Sequence, residues 1–102
     1  MDMPKTIKVG AHTYAVLRKT KSQMNTDLGG CDTNTLQISV QQRLKKSKAK
    51  EILVHEVLHA CTHPSFLGAE DKFTDEDFVT AVAPVLLQVI QDNPDLLAYL
   101  TQ

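Results

Sequence analysis

His55, Glu56 and His59 are the residues whose types and spacing point most directly to chemistry, in the stretch H-E-x-x-H inside an apolar run from Ile52 to Cys61. On an α-helix, residues four apart stack on one face just over a turn apart. His55 and His59 can therefore offer two imidazoles to one cation, and such a pair suits Zn²⁺. Glu56 lies about 100° round the helix, clear of ligation but within reach of a water held by the metal. Zinc lowers the pKa of that water toward about 7, and a carboxylate can then take its proton. The chemistry expected is attack of hydroxide on a carbonyl. The competing reading is two core histidines with hydrogen-bond partners, since Ile52, Leu53, Val54, Val57, Leu58, Ala60 and Cys61 read as a buried helix.

A catalytic zinc takes three protein ligands and leaves one position open. His63, Glu70, Asp71, Asp75, Glu76 and Asp77 are within sequence reach of the site. His63 continues the ladder, but it stands eight residues from His55, about 12 Å along a straight helix, too far for nitrogens on one ion. The extended pattern with Gly and a third His after His59 is missing. Asp75 suits a helix start, and Asp77 suits the return position of a capping box from Thr74. Glu70 and Asp71 read as solvated loop acids. Glu76 is the favoured third ligand. It belongs to the first turn of a second helix, on a face that continues through Val79, Thr80, Ala83 and Leu87 and is expected to meet the core.

The elements that must hold these residues follow from patterning. Residues 6–9 and 14–18 alternate or are β-prone, and make a hairpin around Gly10. Residues 25–32, with Gly29-Gly30 and Cys31, read as a loop, and residues 35–40 as a third strand with Leu36, Ile38 and Val40 on one face. The metal-binding helix is expected over 47–62, capped by Ser47 and stopped by His63-Pro64. A second helix runs from the Thr74 cap to about 92. Its core stripe is Phe78, Val79, Val82, Ala83, Leu86, Leu87 and Ile90, and Pro84 lies inside it. Asn93-Pro94 reads as cap and first position of a short helix over 94–100. The fold class expected is α+β: a three-stranded antiparallel sheet packed on two main helices plus a short C-terminal one, in a single domain over 1–102.

The 102 residues suffice for one modest core. Cys31 and Cys61 are too few for a disulfide scaffold; Cys61 reads as core and Cys31 as a surface thiol. Nothing reads as a signal peptide or a membrane span, so a cytoplasmic protein is expected. Net charge is −1 but uneven: residues 1–50 carry ten Lys and Arg against Asp2, Asp27 and Asp32, whereas 51–102 carry Lys72 against nine acids. Arg43, Lys45, Lys46, Lys48 and Lys50 form a basic segment. Its plain reading is a solvated helix start. The alternative is a zinc-containing binding or regulatory module that docks nucleic acid or an acidic partner through residues 43–50 with little catalysis.

With the H-E-x-x-H stretch and the later helix Glu76-x-x-Val79-x-x-Val82-Ala83-x-x-Leu86-Leu87 in view, residues 35–90 resemble the gluzincin metallopeptidases, in particular small phage and bacterial members related to the ImmA/IrrE type. The resemblance implies a minimal zincin-like core with Zn²⁺ on His55, His59 and Glu76 and with Glu56 as catalytic base. It also implies a peptide or protein substrate, and host-cell cytoplasm if the chain is phage-encoded. It places a strand before the metal helix at the edge of the cleft, where substrate pairs as an added strand. Residues 35–40 fit that place, with Thr35, Gln37 and Ser39 as substrate-binding positions. Tyr14, Tyr99 and His12 are the available oxyanion donors.

Overall fold

The computed structural model describes residues 2–65 and 74–102, except for the side chains of 63–65 and 75. Strand β1 (Thr6–Val9) turns through Gly10, at φ 60°, into β2 (His12–Lys19). That left-handed conformation is open to glycine at little cost. Strands β3 (Gly29–Asp32) and β4 (Gln37–Gln41) follow, then helices α1 (Lys46–Ser65), α2 (Asp75–Asp92) and α3 (Pro94–Leu100).

The α+β class is observed, but the sheet differs from expectation. Among the described residues it has four strands in the order β1-β2-β4-β3, with β2 and β4 parallel and the other pairs antiparallel. The glycine pair read as a loop is the edge strand β3. The chain reverses between Asp32 and Gln37, where Asp32 Oδ1 accepts the N–H groups of Asn34 (2.9 Å) and Thr35 (3.0 Å) and Leu36 sits at φ 58°. Thr35 and Leu36 therefore belong to a turn rather than to the strand. The returning β4 inserts beside β2, and this makes that pair parallel.

One face of the sheet is apolar. Ile7, Val9, Tyr14, Ile38 and Val40 point toward the helices and pack on Leu53, Val57, Ala60 and Cys61 of α1, Val82 and Val89 of α2, and Leu96 and Tyr99 of α3. The period-two alternation along β1 and β4 sets this face. Pro4 is buried and Met3 packs on the core, so part of the stretch before β1 is tied down.

Helix α1 starts one residue before the expected cap. The Lys45 carbonyl accepts the first helical bond from Ala49 N–H (2.9 Å), which leaves Ser47 inside the first turn. The helix also continues past His63-Pro64 to Ser65; the bias of a residue before proline is a preference, which a helix already under way can override. At α2 the capping box is present: Asp77 N–H donates to Thr74 Oγ1 (3.2 Å) and Thr74 N–H donates to Asp77 Oδ2 (2.8 Å).

Asn93 does not cap α3 through its side chain. Its buried amide instead pairs with the outer edge of β1: Lys8 N–H donates to Oδ1 (2.8 Å), while Nδ2 donates to the carbonyls of Lys8 (2.9 Å) and Val89 (2.9 Å). Gln88 adds bonds to Gly10 N–H (2.7 Å) and the Lys8 carbonyl (3.1 Å). The β1 edge is thus covered by amides from α2 and from the residue that follows it, a device that blunts a sheet edge. Asn93→Ala should lower stability by about 1–3 kcal/mol, because it strips partners from peptide groups held against the helix. Urea denaturation checks this. No described helix is long and apolar enough to cross a membrane.

Candidate metal centre

Helix α1 buries the face carrying Leu53, Val57, Ala60 and Cys61. His55 and His59 fall on its open side and are exposed, so they are not core histidines. Their Nε2 atoms lie 3.1 Å apart, with ring centroids 4.8 Å apart and planes inclined at 70°. Two imidazoles bound to one tetrahedral zinc, each at about 2.0–2.1 Å, place their nitrogens roughly 3.3 Å apart. The pair could therefore hold one small cation. The same separation is a hydrogen bond between the two rings, its direction set by their tautomers.

Glu56 sits between that open face and the core. It is 6% exposed, and its Oε2 lies 4.0 Å from His55 Nε2. One ligand atom from each of His55, Glu56 and His59 falls within 4.8 Å of the others. Burial raises the Glu56 carboxyl above the ordinary carboxylate range, opposed by the nearby His55 and His59. A carboxylate moved in this direction is a better proton acceptor near neutral pH.

Strand β3 is what buries it. A Cβ built on Gly29 would stand 2.5 Å from Ile52 Cγ2 and 2.7 Å from Glu56 Oε2. The absent side chain lets the strand lie directly against the carboxylate, and this is the physical reason for glycine in a strand position. Sequence reading missed this residue because glycine is depleted in strands. The signal that could have found it is the Gly-Gly pair one short turn before a clear strand. Gly29→Ala should cost about 1–3 kcal/mol through overpacking and push the Glu56 carboxylate aside. The checks are chemical denaturation and the rate of any hydrolysis measured on the same sample.

Glu76 does not join the group. It is exposed, and its Oε1 accepts from the Thr80 hydroxyl at 3.4 Å. The cause is the rotation of α2. Val82 and Val89 face the core, whereas Val79 is 55% and Leu87 54% exposed. Glu76 lies about 120° and about 140° round the helix from Val82 and Val89, so it shares the outward face with Val79, Thr80, Ala83 and Leu87. The expected core stripe was too wide. Phe78 and Ile90 are also more than a third exposed. The side chains of His63 and Asp75, together with Glu70 and Asp71, lie outside the described residues, and Asp77 is engaged in the capping box.

The positions expected to receive substrate also move. Strand β4 is paired on both sides, Gln37 with Ala15 and Asp32, and Ser39 with Leu17 and Gly30. Neither residue can accept a further strand, and Thr35 lies in the preceding turn. Among the described residues, the sheet edge near Glu56 that no strand covers is that of β3. Gln41 N–H donates to the Leu28 carbonyl (2.9 Å), so antiparallel alternation makes Gly30 and Ser39 the next bonded pair. The peptide groups of Gly29 and Cys31 then turn away from β4.

Cys31 is in β3 rather than a loop, and burial together with the Glu56 carboxylate pushes its thiol up to about 11, which removes it as a reactive thiolate at neutral pH. Tyr14 is in the core, its hydroxyl pKa raised by burial and by Cys31, Cys61 and Asp32. Tyr99 is buried under Lys50, whose Nζ is 5.9 Å from the ring centroid and donates to the Gln102 carbonyl at 2.6 Å. His12 is exposed beside the β1–β2 turn. Of the basic segment, Lys48 pairs with Glu51 at 2.6 Å on the surface, and Arg43 holds a left-handed turn at φ 63°. Compared with known proteins, the chain matches no family model, no curated protein and no solved structure.

Proposed function

We propose that the protein is a zinc-dependent peptide hydrolase. The observation that carries this reading is the pair of exposed imidazole nitrogens 3.1 Å apart beside a buried carboxylate. His55 and His59 would hold the ion. Bound zinc supplies Lewis acidity, which makes water a nucleophile near neutral pH and polarises a carbonyl. Glu56 takes the proton of the attacking water and delivers it to the leaving amine. Its burial against β3 keeps bulk water from one side of the carboxylate.

A peptide is the substrate class best supported, because the edge beside Glu56 that is open among the described residues is a strand edge. The outward peptide groups of Gly29 and Cys31 can pair with two alternate residues of an extended chain. Such pairing gives affinity with little demand on sequence. The placement of Glu76 does not support it as third ligand. The reading rests on His55, His59 and Glu56, and Glu76→Ala tests the question directly. A large fall in zinc affinity in that variant would return Glu76 to the ligand set.

The experiment is a zinc titration followed by cleavage of an unstructured peptide mixture, with Glu56→Gln as control. One equivalent of zinc bound and cleavage confined to the wild type supports the proposal. Zinc content well below one equivalent after handling without chelators overturns it.

A further inference from the structure

Strands β2 and β4 run parallel, so they finish at the same end of the sheet, with Lys19 beside Gln41. Their ends are tied together there. Gln42 N–H donates to the Lys19 carbonyl (2.7 Å), Gln42 Nε2 donates to the Arg18 carbonyl (3.2 Å), and Arg18 Nη2 donates to the Gln41 carbonyl (3.2 Å). Two basic segments that are separate in sequence thereby meet: 18–21 at the end of β2, and 43–48 at the approach to α1. An antiparallel pair would have set them at opposite ends.

Some of the cations are already engaged. Lys48 pairs with Glu51, and Lys50 donates to the Gln102 carbonyl. Lys19 alternates with Arg18 onto the other face of β2, within electrostatic reach of the Asp32 carboxylate. Arg18, Lys21, Arg43, Lys45 and Lys46 are left. All are exposed, and none has an ion-pair partner among the described residues. Asp27 is the acid at this end, its carbonyl accepting from Gln41 Nε2 (3.0 Å), and residues 33–50 contain no Asp or Glu. The fold thus adds Arg18 and Lys21 to the basic run and takes Lys48 and Lys50 out of it. The charge also stands where the helix disfavours it: the first turn of α1 holds no acid, and lysines at the positive end of a macrodipole weaken a helix.

What the surface lacks decides its partner. Leu44, the one large apolar residue of the two segments, packs on the core instead of facing out. Nothing is left to enter a bilayer, where stable anchoring takes a second signal besides charge, or to form the apolar centre of a protein interface. Neither segment contains an aromatic residue, and the Tyr99 ring beside Lys50 is buried, so there is no platform on which single-stranded bases would stack. The neutral side chains of Thr20, Gln41 and Gln42 are engaged with Gln23, Asp27 and Arg18, whereas recognition of an RNA duplex draws on its 2′-hydroxyl groups. Positive charge alone remains, and a dense row of phosphates matches it. We propose that this end of the sheet binds the phosphate backbone of double-stranded DNA without reading its sequence, through Arg18, Lys21, Arg43, Lys45 and Lys46. The surface uses none of His55, Glu56 and His59 and does not depend on the hydrolase reading.

The test is fluorescence anisotropy of a labelled DNA duplex of about 20 base pairs with the full-length protein, from about 50 to about 200 mM salt. Each phosphate neutralised contributes about −0.9 to the slope of log K against log salt, so these cations together predict a slope of about −4 to −5, the same for a second duplex of unrelated sequence. Lys45→Gln combined with Lys46→Gln should reduce the slope by about 2 and weaken binding at about 100 mM salt by at least about tenfold. Both changes take cations away from a helix start, so the melting temperature should hold or rise. Arg43→Gly gives a second check: glycine adopts φ 63° more readily than arginine, so the turn should persist, while the slope should fall by about 1. Lys8→Gln removes the same charge at the far end of the sheet, beside Thr13, and should leave binding unchanged. The matching single strand, an RNA duplex of the same sequence and phosphatidylserine vesicles should each bind more weakly than the DNA duplex. Tighter binding to any of these three, an equal loss in Lys8→Gln, or no binding to the DNA duplex at about 50 mM salt overturns the proposal, whatever the outcome of the zinc and cleavage experiments.

Discussion

Glu56→Gln should retain zinc and lose peptide hydrolysis by about 10²–10⁴-fold, the usual contribution of a positioned general base. The substitution preserves shape in a close-packed site: Glu56 is 6% exposed, and Gly29 lies against its Oε2. It leaves both imidazoles untouched. What it removes is the capacity to accept a proton. The informative comparison is zinc stoichiometry and cleavage rate on one preparation. Intact zinc with lost cleavage separates the base from the ligands. Cleavage at the wild-type rate would take Glu56 out of the reaction, and loss of zinc would make it a ligand. The third outcome has a structural basis, because its Oε2 is 4.0 Å from His55 Nε2.

His59→Ala, and equally His55→Ala, should weaken zinc binding by at least about 100-fold, beyond the 10–100-fold seen when only an outer partner of a ligand is removed. The two Nε2 atoms, 3.1 Å apart, form one bidentate grip, and a single exposed imidazole on the surface of α1 has no comparable hold. The readout need not be activity. A ligand present at 100 times its dissociation constant stabilises the folded state by about 2.7 kcal/mol. Wild-type protein should therefore melt higher with zinc than without, and the two variants should show little of that increment. Because both histidines are exposed, zinc-free stability should change little in either variant. If zinc raised the melting temperature of a His59→Ala variant as much as that of wild type, the metal would be bound elsewhere.

Local signals account for much of what is seen. The His-Glu-His spacing needs only a helix to bring its nitrogens together, and an apolar run with few breakers makes that helix. The Thr74–Asp77 box, Pro94 at a helix start, the Gly10 turn and the alternation of Ile7 with Val9 and of Ile38 with Val40 are each decided within a few residues, by capping, by fixed φ or by the pleat. Features that depend on distant partners were not legible. Gly29 and Gly30 have weak strand propensity and become β3 only because β4 offers a ladder and α1 needs close approach. Which strand is the edge depends on the order β1-β2-β4-β3, and no local pattern encodes that order.

Helix α2 shows the division most clearly. Phe78, Val79, Val82, Ala83, Leu86, Leu87 and Ile90 cover so much of its circumference that hydrophobicity alone allows several rotations. The choice falls to Gln88 and Asn93, which bond across nearly the whole chain length to Lys8 and Gly10, and their grip turns Glu76 outward. The amino-acid sequence by itself determined the pair of imidazoles and the carboxylate beside them, because a helix repeats every 3.6 residues whatever surrounds it. Tertiary structure alone decided which acids approach them and which strand lies open at their side, because those are matters of how separate elements dock.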